Sequence, residues 1–307
     1  MQIRQLEMFR AVMQSGSTSG AAEILSVSQP AVSRMIKHVE EVLALRLFER
    51  VGGRLHPTAE AHQLMDEIEP LFISLEAVRN RVKDIQTGSK GHLRIVSTSN
   101  MASTIIPEAL SGFFENRDQF QVSVDVKRWE NVIEYVERGV SDLGFVFSAR
   151  EIPMHSLNAQ PVGMGRMVCS MSEDHKLAAV SVIRPSDLKE HKLVKLETGS
   201  PLGQLIDRSF QQFEEDIPFT VETRYCQTAC DIANAISGVA IVDELTANNN
   251  TAKGMTFRNY VPKIELTAFA IFSNTRPMSV PMKKLISRVE ASFVEFSSSL
   301  ARGSANY

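Results

Sequence analysis

The hydrophobic pattern of the chain changes at residues 86–92, "QTGSKGH", and this change constrains the fold more than any other feature. Before it, residues 1–86 carry apolar side chains mainly at helical spacing. After it, strand-like segments such as "LRIVSTS" and "DLGFVFS" alternate with helical segments. Alternation of this kind is typical of an α/β sheet with right-handed crossovers. The sequence therefore predicts a mainly helical N-terminal part, a flexible break and an α/β part.

The α/β part contains about ten strand candidates in roughly 215 residues, which fits two small lobes better than one sheet. Hydrophobic residues make up 43% of the chain and charged residues 22%, as in ordinary globular proteins. No apolar run approaches the roughly 20 residues of a membrane span. The start of the chain, "MQIRQLEMFR", lacks the apolar stretch of a secretory signal. We expect a cytoplasmic protein with no membrane partner.

The three cysteines, Cys169, Cys226 and Cys230, are too few and too scattered for a disulfide framework. Cys226 and Cys230 are four residues apart and could form a redox pair on one helix face. Without neighbouring histidine ligands, two small hydrophobic fillers are favoured.

The N-terminal part has the pattern of a helix–turn–helix. Helical spacing in "RQLEMFRAVMQ" and "AAEIL" is followed by a tight turn, "SVSQP", and a longer amphipathic helix that runs to about Phe48. Thr18 or Ser19 is the expected N-cap of the second helix and Ser28 that of the third, with Pro30 in its first turn. The exposed start of the third helix can meet base edges and phosphates through Ser28, Gln29, Ser33, Arg34 and Lys37.

A wing is expected directly after this helix, in "RVGGRLHPT", residues 50–58. Gly52 and Gly53 predict a turn, and Arg54 at its tip could enter a minor groove. Residues 1–58 hold seven basic and five acidic side chains in a protein of net charge −3. The prediction of DNA binding therefore rests on where the basic residues lie and not on their number. The alternative is a generic helical cap with a solvated polar face.

Two stretches carry a resemblance to a known family: "AAEILSVSQPAVSRMIKHVEEVLALRLFER" and "LHPTAEA". Over residues 3–65 the chain closely resembles the DNA-binding domain of LysR-type transcriptional regulators, and more weakly so over its full length. The resemblance implies a winged helix–turn–helix in 1–58, a linker helix and hinge in 59–90, and an effector domain like periplasmic type II binding proteins in 91–307.

The resemblance also implies particular partners and site residues. Lobe I of the effector domain is expected at about 91–161 and 267–303, and lobe II at about 162–266. The expected partners are double-stranded DNA, a small-molecule effector and further copies of the chain, commonly as a homotetramer, with RNA polymerase as another candidate. The expected DNA-binding residues are Thr18, Ser28, Gln29, Pro30, Ser33, Arg34, Lys37, Arg54 and His56.

The linker segment carries apolar residues in steps of three and four, which is the pattern of a coiled-coil seam. A twofold dimer through this seam would present two DNA half-sites. The alternative is packing on the lobes of the same chain. Pro70 should kink the helix. The seam consists of Ala61, Met65, Ile68, Phe72, Leu75, Val78, Val82 and Ile85.

Ligands of two-lobed α/β proteins bind at the carboxyl ends of strands, near helix N-termini. Short hydroxyl and amide side chains there suit a carboxylate, although such residues are also ordinary N-caps. Acidic residues favour a cationic group in addition. We therefore expect an amino acid or a related amine-bearing carboxylate. The candidate effector residues are Ser97, Ser99, Asn100, Met101, Phe147, Glu197, Thr198, Gly199, Ser200, Gln227, Thr228, Asp243 and Glu244.

One departure from the family pattern affects this pocket. Many members have Gly-x-Gly before the last pocket strand, whereas "ANAISGVAIVDE" keeps only Gly238. Effector binding can act only through unequal affinity for two states. Lobe closure that shifts the linker helices, and with them the DNA bend, is the expected mechanism.

Two other classes of protein remain as alternatives. A small-molecule enzyme is disfavoured because no G-x-S-x-G, H-E-x-x-H, Walker or G-x-G-x-x-G motif occurs. The seven histidines are scattered, so no metal and no cofactor are expected. A solute-binding protein for a transporter would explain the two lobes. It would not explain the N-terminal helices, and such a protein would be expected to carry a signal peptide, which the sequence lacks.

Overall fold

The computed structural model describes residues 2–51, 54–87, 91–115, 120–149, 152, 156–212 and 217–303. Gly52 and Gly53 of the expected wing turn, and Gly88 and Ser89 of the break, lie outside the described residues. Contacts divide the chain into two units, Met1–Arg79 and Asn80–Tyr307.

The first unit opens with three helices followed by a hairpin. The helices are α1 (Ile3–Ser15), α2 (Thr18–Leu25) and α3 (Gln29–Leu43), and strands β1 (Phe48–Val51) and β2 (Arg54–Pro57) pair antiparallel. A long helix, α4 (Ala59–Thr87), follows and runs through Pro70 as one element. The helix–turn–helix and the wing strands are therefore present as expected.

A small apolar core holds these helices together. Phe9 and Val12 of α1 and Val32 of α3 are fully buried. Ala21 and Ala22 of α2 are also buried, and their small side chains permit close approach of the neighbouring helices. The unpacked side of α3 is consequently left on the surface of the unit.

The start of α2 differs from the prediction. Ser17, not Thr18 or Ser19, is the N-cap, and its hydroxyl accepts a 3.0 Å hydrogen bond from the Gly20 backbone N–H. The reason is that α1 ends in the left-handed conformation at Gly16, which leaves Ser17 extended and the helix starting at once. Ser28 occupies the N-cap position of α3 as expected, but its side chain makes no capping hydrogen bond.

The first half of the second unit is built from alternating strands and helices. In chain order these are β3 (His92–Ser97), α5 (Ser99–Ser103), α6 (Ile105–Phe114), β4 (Gln121–Val126), α7 (Trp129–Glu137), β5 (Leu143–Ser148) and β6 (Leu157–Ser172).

The second half continues with β7 (Val182–Ile183), β8 (Leu193–Leu196), α8 (Pro201–Gln212), β9 (Val221–Thr223), α9 (Cys226–Ile236), β10 (Val239–Asp243), α10 (Glu244–Asn249), β11 (Met255–Tyr260), β12 (Glu265–Ser273) and α11 (Val280–Gly303). The expected strands and long helices are found. The short elements β7, α5 and α10 were not expected.

These strands form two lobes that share the long strand β6. Within the described residues, the strand order is β4-β3-β5-β12-β6-β10-β8-β9, with β11 between β6 and β7. β6 pairs with β12 over Leu157–Arg166 and with β10 over Met167–Met171. The expected lobe boundary at 161/162 therefore falls inside β6, whose pairing changes partner after Arg166.

Parallel pairing brings the carboxyl ends of several strands to one edge in each lobe. β3 pairs in parallel with β4 and β5, and β8 in parallel with β9 and β10. β5 and β10 are buried along their whole length, as expected for strands covered on both faces.

Candidate functional site

The exposed start of α3 carries the polar residues expected to read DNA. Gln29 and Ser33 lie on successive turns, and the Gln29 side-chain amide donates to the Ser33 hydroxyl (3.3 Å) and to the Thr18 hydroxyl of α2 (3.0 Å). Ser28, Pro30 and Arg34 are exposed beside them. The first turns of α2 and α3 thus form one polar face.

Basic side chains lie on the next turn of α3 and on the hairpin. Lys37 is exposed on the next turn of α3 and lies 3.9 Å from the exposed Glu41 carboxylate, a pair too solvated to hold it firmly. On the hairpin, His56 is exposed and pairs across the strands with Glu49. Arg54 begins β2, but its side chain lies outside the described residues.

The second unit holds a cleft of about 680 Å³, part of it open to solvent, between its two lobes. Its wall consists of residues that follow β3, β4, β8 and β9, together with the end of β5. The lining residues that matter below are Ser99, Asn100, Arg128, Trp129, Glu130, Phe147, Glu197, Ser200, Arg224, Tyr225 and Cys226.

The cleft carries charges of both signs. Arg224 donates from Nε to Glu197 Oε1 (2.7 Å) and from Nη2 to Glu197 Oε2 (3.1 Å), a bidentate pair. The Arg224 hydrogen bonds lower the pKa of Glu197, and the charges of Arg224 and of Arg128 add to this effect. Glu197 is therefore ionised at neutral pH between guanidinium groups from both lobes.

The rest of the cleft wall is largely apolar. Trp129 and Phe147 from one lobe face Leu196 and Tyr225 from the other. Cys226 also lines the cleft, and burial raises the pKa of its thiol well above the ordinary value. Burial likewise raises the pKa of Cys230 to about 12, so both thiols stay protonated at neutral pH. Both are buried, as expected for hydrophobic fillers.

Six of the residues expected to bind an effector line the cleft: Ser99, Asn100, Phe147, Glu197, Gly199 and Ser200. Seven do not: Ser97, Met101, Thr198, Gln227, Thr228, Asp243 and Glu244. Ser97 and Met101 are fully buried in lobe I, Thr228 is exposed, and Gln227 donates hydrogen bonds to Asn250 and Asp231.

The acidic pair Asp243 and Glu244 lies behind the cleft, because α10 begins immediately after β10. Asp243 is fully buried and accepts hydrogen bonds from the Thr246 N–H and hydroxyl, both at 2.9 Å. Glu244 bonds Arg166 at 3.1 Å, and burial raises its pKa in spite of that cation. Of the acidic residues expected at the cleft, only Glu197 lines it.

Sequence reasoning named Gln227 and Thr228 after β9 but not Arg224 and Tyr225, and it named no residue after β4. Arg128 and Trp129 come directly after "QVSVDVK", and Arg224 and Tyr225 after "FTVET". The signal was present, since the rule that ligands bind at the carboxyl ends of strands applies to both segments.

Two family models match the chain over most of its length. The model described as the bacterial regulatory helix-turn-helix protein of the lysR family matches residues 3–62. The LysR substrate binding domain model matches residues 86–293. The chain belongs to the LysR family. It is therefore a transcriptional regulator with a DNA-binding and a substrate-binding domain, and not an enzyme.

Curated LysR-family relatives match nearly end to end. The regulatory protein NocR of Agrobacterium fabrum (strain C58 / ATCC 33970) is 29% identical over 294 residues, covering 96% of each chain. The transcriptional activator protein LysR of Escherichia coli (strain K12) is 26% identical, covering 97% of this chain and 95% of that protein. The octopine catabolism/uptake operon regulatory protein OccR of Rhizobium meliloti is 31% identical, covering 80% and 81%.

Solved structures of the family share the fold. CbnR, a LysR family transcriptional regulator, superposes with a TM-score of 0.62 at 18% identity, covering 95% of this chain and 99% of CbnR. Full-length CbnR in complex with its target DNA gives a TM-score of 0.61 at 20% identity, covering 95% and 100%. The two-domain architecture is thus that of the LysR family.

Within the described residues, no helix is long and apolar enough to cross a membrane. In the same part of the chain, no group of three or more His, Cys, Asp or Glu side chains is arranged to hold a metal ion.

Proposed function

We propose that this LysR-family regulator reads its operator with the polar face of α2 and α3, and that an amine-bearing carboxylate in the cleft modulates the DNA complex. The observation that carries the ligand class is the Glu197–Arg224 pair with Arg128 opposite. A zwitterion can exchange partners with such a pair, its carboxylate going to a guanidinium and its amine to Glu197.

The DNA half of the proposal rests on the exposed residues around the start of α3. Arg or Lys suits guanine and Gln suits adenine in the major groove, while hydroxyls and helix N-termini suit phosphates. The wing would add a minor-groove or phosphate contact. The residues proposed for DNA are Thr18, Ser28, Gln29, Pro30, Ser33, Arg34, Lys37, Arg54 and His56.

The ligand half rests on the charge and shape of the cleft. Two guanidinium groups favour a carboxylate, Glu197 and Glu130 favour an amine, and Trp129, Phe147 and Tyr225 favour an apolar or planar body. The OccR relative is named for octopine, which agrees with an amino-acid derivative. Asp243 and Glu244 do not line the cleft, so the support for the amine comes from Glu197 and Glu130.

Self-association of this regulator is also proposed. The exposed apolar residues of α4, Leu71, Val78 and Val82, favour pairing with the same helix of a second copy. Two such dimers would form a tetramer, and contact with RNA polymerase is a further proposed partnership. Because its proposed partner is double-stranded DNA, we place the protein in the cytoplasm. Lobe closure on the effector would bias the arrangement of the DNA-binding domains.

The ligand class can be tested by fluorescence, because Trp129 is the only tryptophan and lines the cleft. The full chain is titrated with L-arginine and L-lysine, and in parallel with agmatine and cadaverine, which lack the carboxylate. The amino acids, or either of them, should change the emission saturably while the amines alone do not. Equal responses to an amino acid and its decarboxylated partner would refute carboxylate recognition.

Gel-shift with salt titration tests DNA binding by the same preparation. A regulator with several phosphate contacts loses affinity steeply as salt rises. Binding to the promoter DNA next to its own gene, with a steep salt dependence, is the expected result. Affinity for duplex DNA that does not respond to salt would contradict the proposed interface.

A further inference from the structure

Lys195 of β8 is a buried cation directly behind the cleft wall. Its side chain is 8% exposed, and Nζ lies 2.9 Å from Asp207 Oδ1 and 3.3 Å from Glu222 Oε1. The same ammonium donates a 3.2 Å hydrogen bond to the Thr198 hydroxyl and lies 4.7 Å from the centre of the Phe219 ring. All three ammonium donors therefore have partners, as a buried charge requires.

These partners come from different elements of lobe II. Asp207 belongs to α8, Glu222 to β9, and Thr198 to the turn between β8 and α8. Removing the ammonium would leave two carboxylates close together with no cation between them, which costs far more than losing a surface ion pair. Lys195 consequently ties α8, β9 and the turn together.

The turn in question, Glu197–Ser200, is called the cleft turn below. Its ends are joined by the Ser200 N–H and hydroxyl, which both donate to the Glu197 carbonyl oxygen, at 2.9 and 2.8 Å. The Thr198 N–H donates to Glu222 Oε1 at 3.3 Å, so the carboxylate bound to Lys195 also holds the turn backbone. Glu197, Gly199 and Ser200 line the cleft, whereas Thr198 bonds to Lys195 on the far side.

We propose that Lys195 is a positioning residue for the effector site: acting through Thr198 and Glu222, it fixes the cleft turn and thereby holds Glu197 where it meets Arg224. Lys195 does not line the cleft itself. The role in ligand binding rests on the function proposed above, whereas the effect on the cleft turn does not need a ligand.

Hydrogen exchange followed by mass spectrometry tests the effect on the turn in the full-length protein. Lys195→Met keeps the length of the side chain and removes its charge. Exchange in the peptide containing Thr198 and Ser200 should become faster, on the order of tenfold, with β10 and α9 unchanged. The matched control is Lys253→Met, which removes an exposed ion pair with Asp231 at 3.6 Å in the same lobe. This control should leave the exchange of the cleft turn unchanged.

Two results of that measurement would overturn the proposal. One is unchanged exchange of the cleft turn in Lys195→Met. The other is an equal rise throughout lobe II, which indicates a general loss of stability. A triple variant, Lys195→Met with Asp207→Asn and Glu222→Gln, separates positioning from charge repulsion. The cleft turn should still exchange fast, and restored protection would show that stranded carboxylates, not lost positioning, caused the effect.

The ligand arm uses Trp129 emission with L-arginine and L-lysine on the same variants. Lys195→Met should weaken binding of the responding amino acid by about tenfold, while Lys253→Met leaves it unchanged. Unchanged affinity in Lys195→Met would overturn the role in ligand binding. If neither amino acid binds the unmodified protein, the proposed ligand class fails, and hydrogen exchange still decides whether Lys195 positions the turn.

Discussion

The side-chain amide of Gln29 donates a 3.0 Å hydrogen bond to the hydroxyl of Thr18, which ties the first residue of α3 to the first residue of α2. The same amide reaches the Ser33 hydroxyl at 3.3 Å. An exposed glutamine held by two neighbours loses less side-chain entropy on binding than a free one. The geometry therefore pre-orients the Gln29 side chain, and its amide gives up one of these two N–H bonds when it pairs with a base edge.

Gln29→Ala should weaken DNA binding by about 1–3 kcal/mol at one base pair of the operator and flatten the preference there, since Gln pairs with adenine through two hydrogen bonds. Gel-shift of a set of singly substituted operators measures this preference. Thr18→Val, which removes the tie but keeps Gln29, should lower affinity while retaining the preference. A Gln29→Ala protein with the full sequence preference of the parent would show that Gln29 does not read bases.

The helix–turn–helix was predictable because its signals are local. The Ser28–Pro30 start fixes where α3 begins, but the predicted end near Phe48 was wrong, because Ala44 adopts the left-handed conformation and α3 ends at Leu43. The N-cap of α2 was missed because three candidate capping residues follow one another, and local propensity cannot rank them. The left-handed Gly16 decides in favour of Ser17, and only the packed structure shows it.

The cleft was predictable only in part, because it depends on contacts between distant segments. Serines and amides after β3 and β8 followed from the strand-end rule. Arg128 and Arg224 did not stand out, since charged residues beside exposed strands are usually solvated. Arg224 meets Glu197 because β8 and β9 pair in lobe II, whereas the approach of Arg128 to Glu197 requires both lobes. Asp243 was misplaced because nothing in the sequence near "VDELTANN" showed that it caps a new helix rather than facing the ligand.

Arg10 of α1 should stabilise the N-terminal unit through α4. Its guanidinium makes two hydrogen bonds to the Glu69 carboxylate, at 2.9 and 2.6 Å, and lies 4.9 Å from the centre of the Phe72 ring. Both charged side chains are 28% exposed. Arg10→Met should therefore reduce the opening free energy of α1, measured by hydrogen exchange, by about 1–3 kcal/mol.

The matched control for Arg10 is Arg79→Met. Arg79 also pairs α4 with α1, through Glu7 at 3.7 Å, but its side chain is 73% exposed, so its removal should change protection little. Equal effects of the two substitutions would mean that the bidentate geometry of Arg10 adds nothing to the stability of this unit.

Glu244 should make the stability of the effector domain fall as the pH rises above the ordinary carboxyl range. Burial raises its native pKa above the ordinary 4.5, so between these two values the folded protein binds more protons than the unfolded one. Ionisation at higher pH therefore costs stability. In thermal melts, the Glu244→Gln variant should become more stable relative to the parent protein as the pH is raised from below 4.5 to neutral.

Glu265→Gln provides a control of opposite sign. Hydrogen bonding to Lys263 lowers the pKa of Glu265, so its ionised form favours the folded state, and that contribution is lost as the pH falls through the lowered pKa. This variant should lose stability relative to the parent as the pH rises. Parallel pH profiles for the two variants would rule out the burial effect at Glu244.

The exposed stripe of α4 gives a test of self-association. Ala61, Ile68 and Phe72 are buried in the N-terminal core, whereas Val78 and Val82 are 60% and 46% exposed on the same helix. A second copy would cover them. A Val78→Glu/Val82→Glu variant should weaken the dimer by at least about 3 kcal/mol, or roughly 100-fold, because apolar burial is lost and carboxylates are desolvated. Sedimentation velocity over a dilution series measures this shift.

The control for that variant is Gln63→Glu, which adds the same kind of charge to α4 at an exposed position off the stripe. It should sediment like the parent, and the double variant should dissociate to a monomer that retains the helical circular dichroism of the folded chain. If the double variant and the parent dissociated at the same concentration, the dimer would have to form through another surface. The reason is that two carboxylates per copy cannot be buried in an apolar seam without a large loss of affinity.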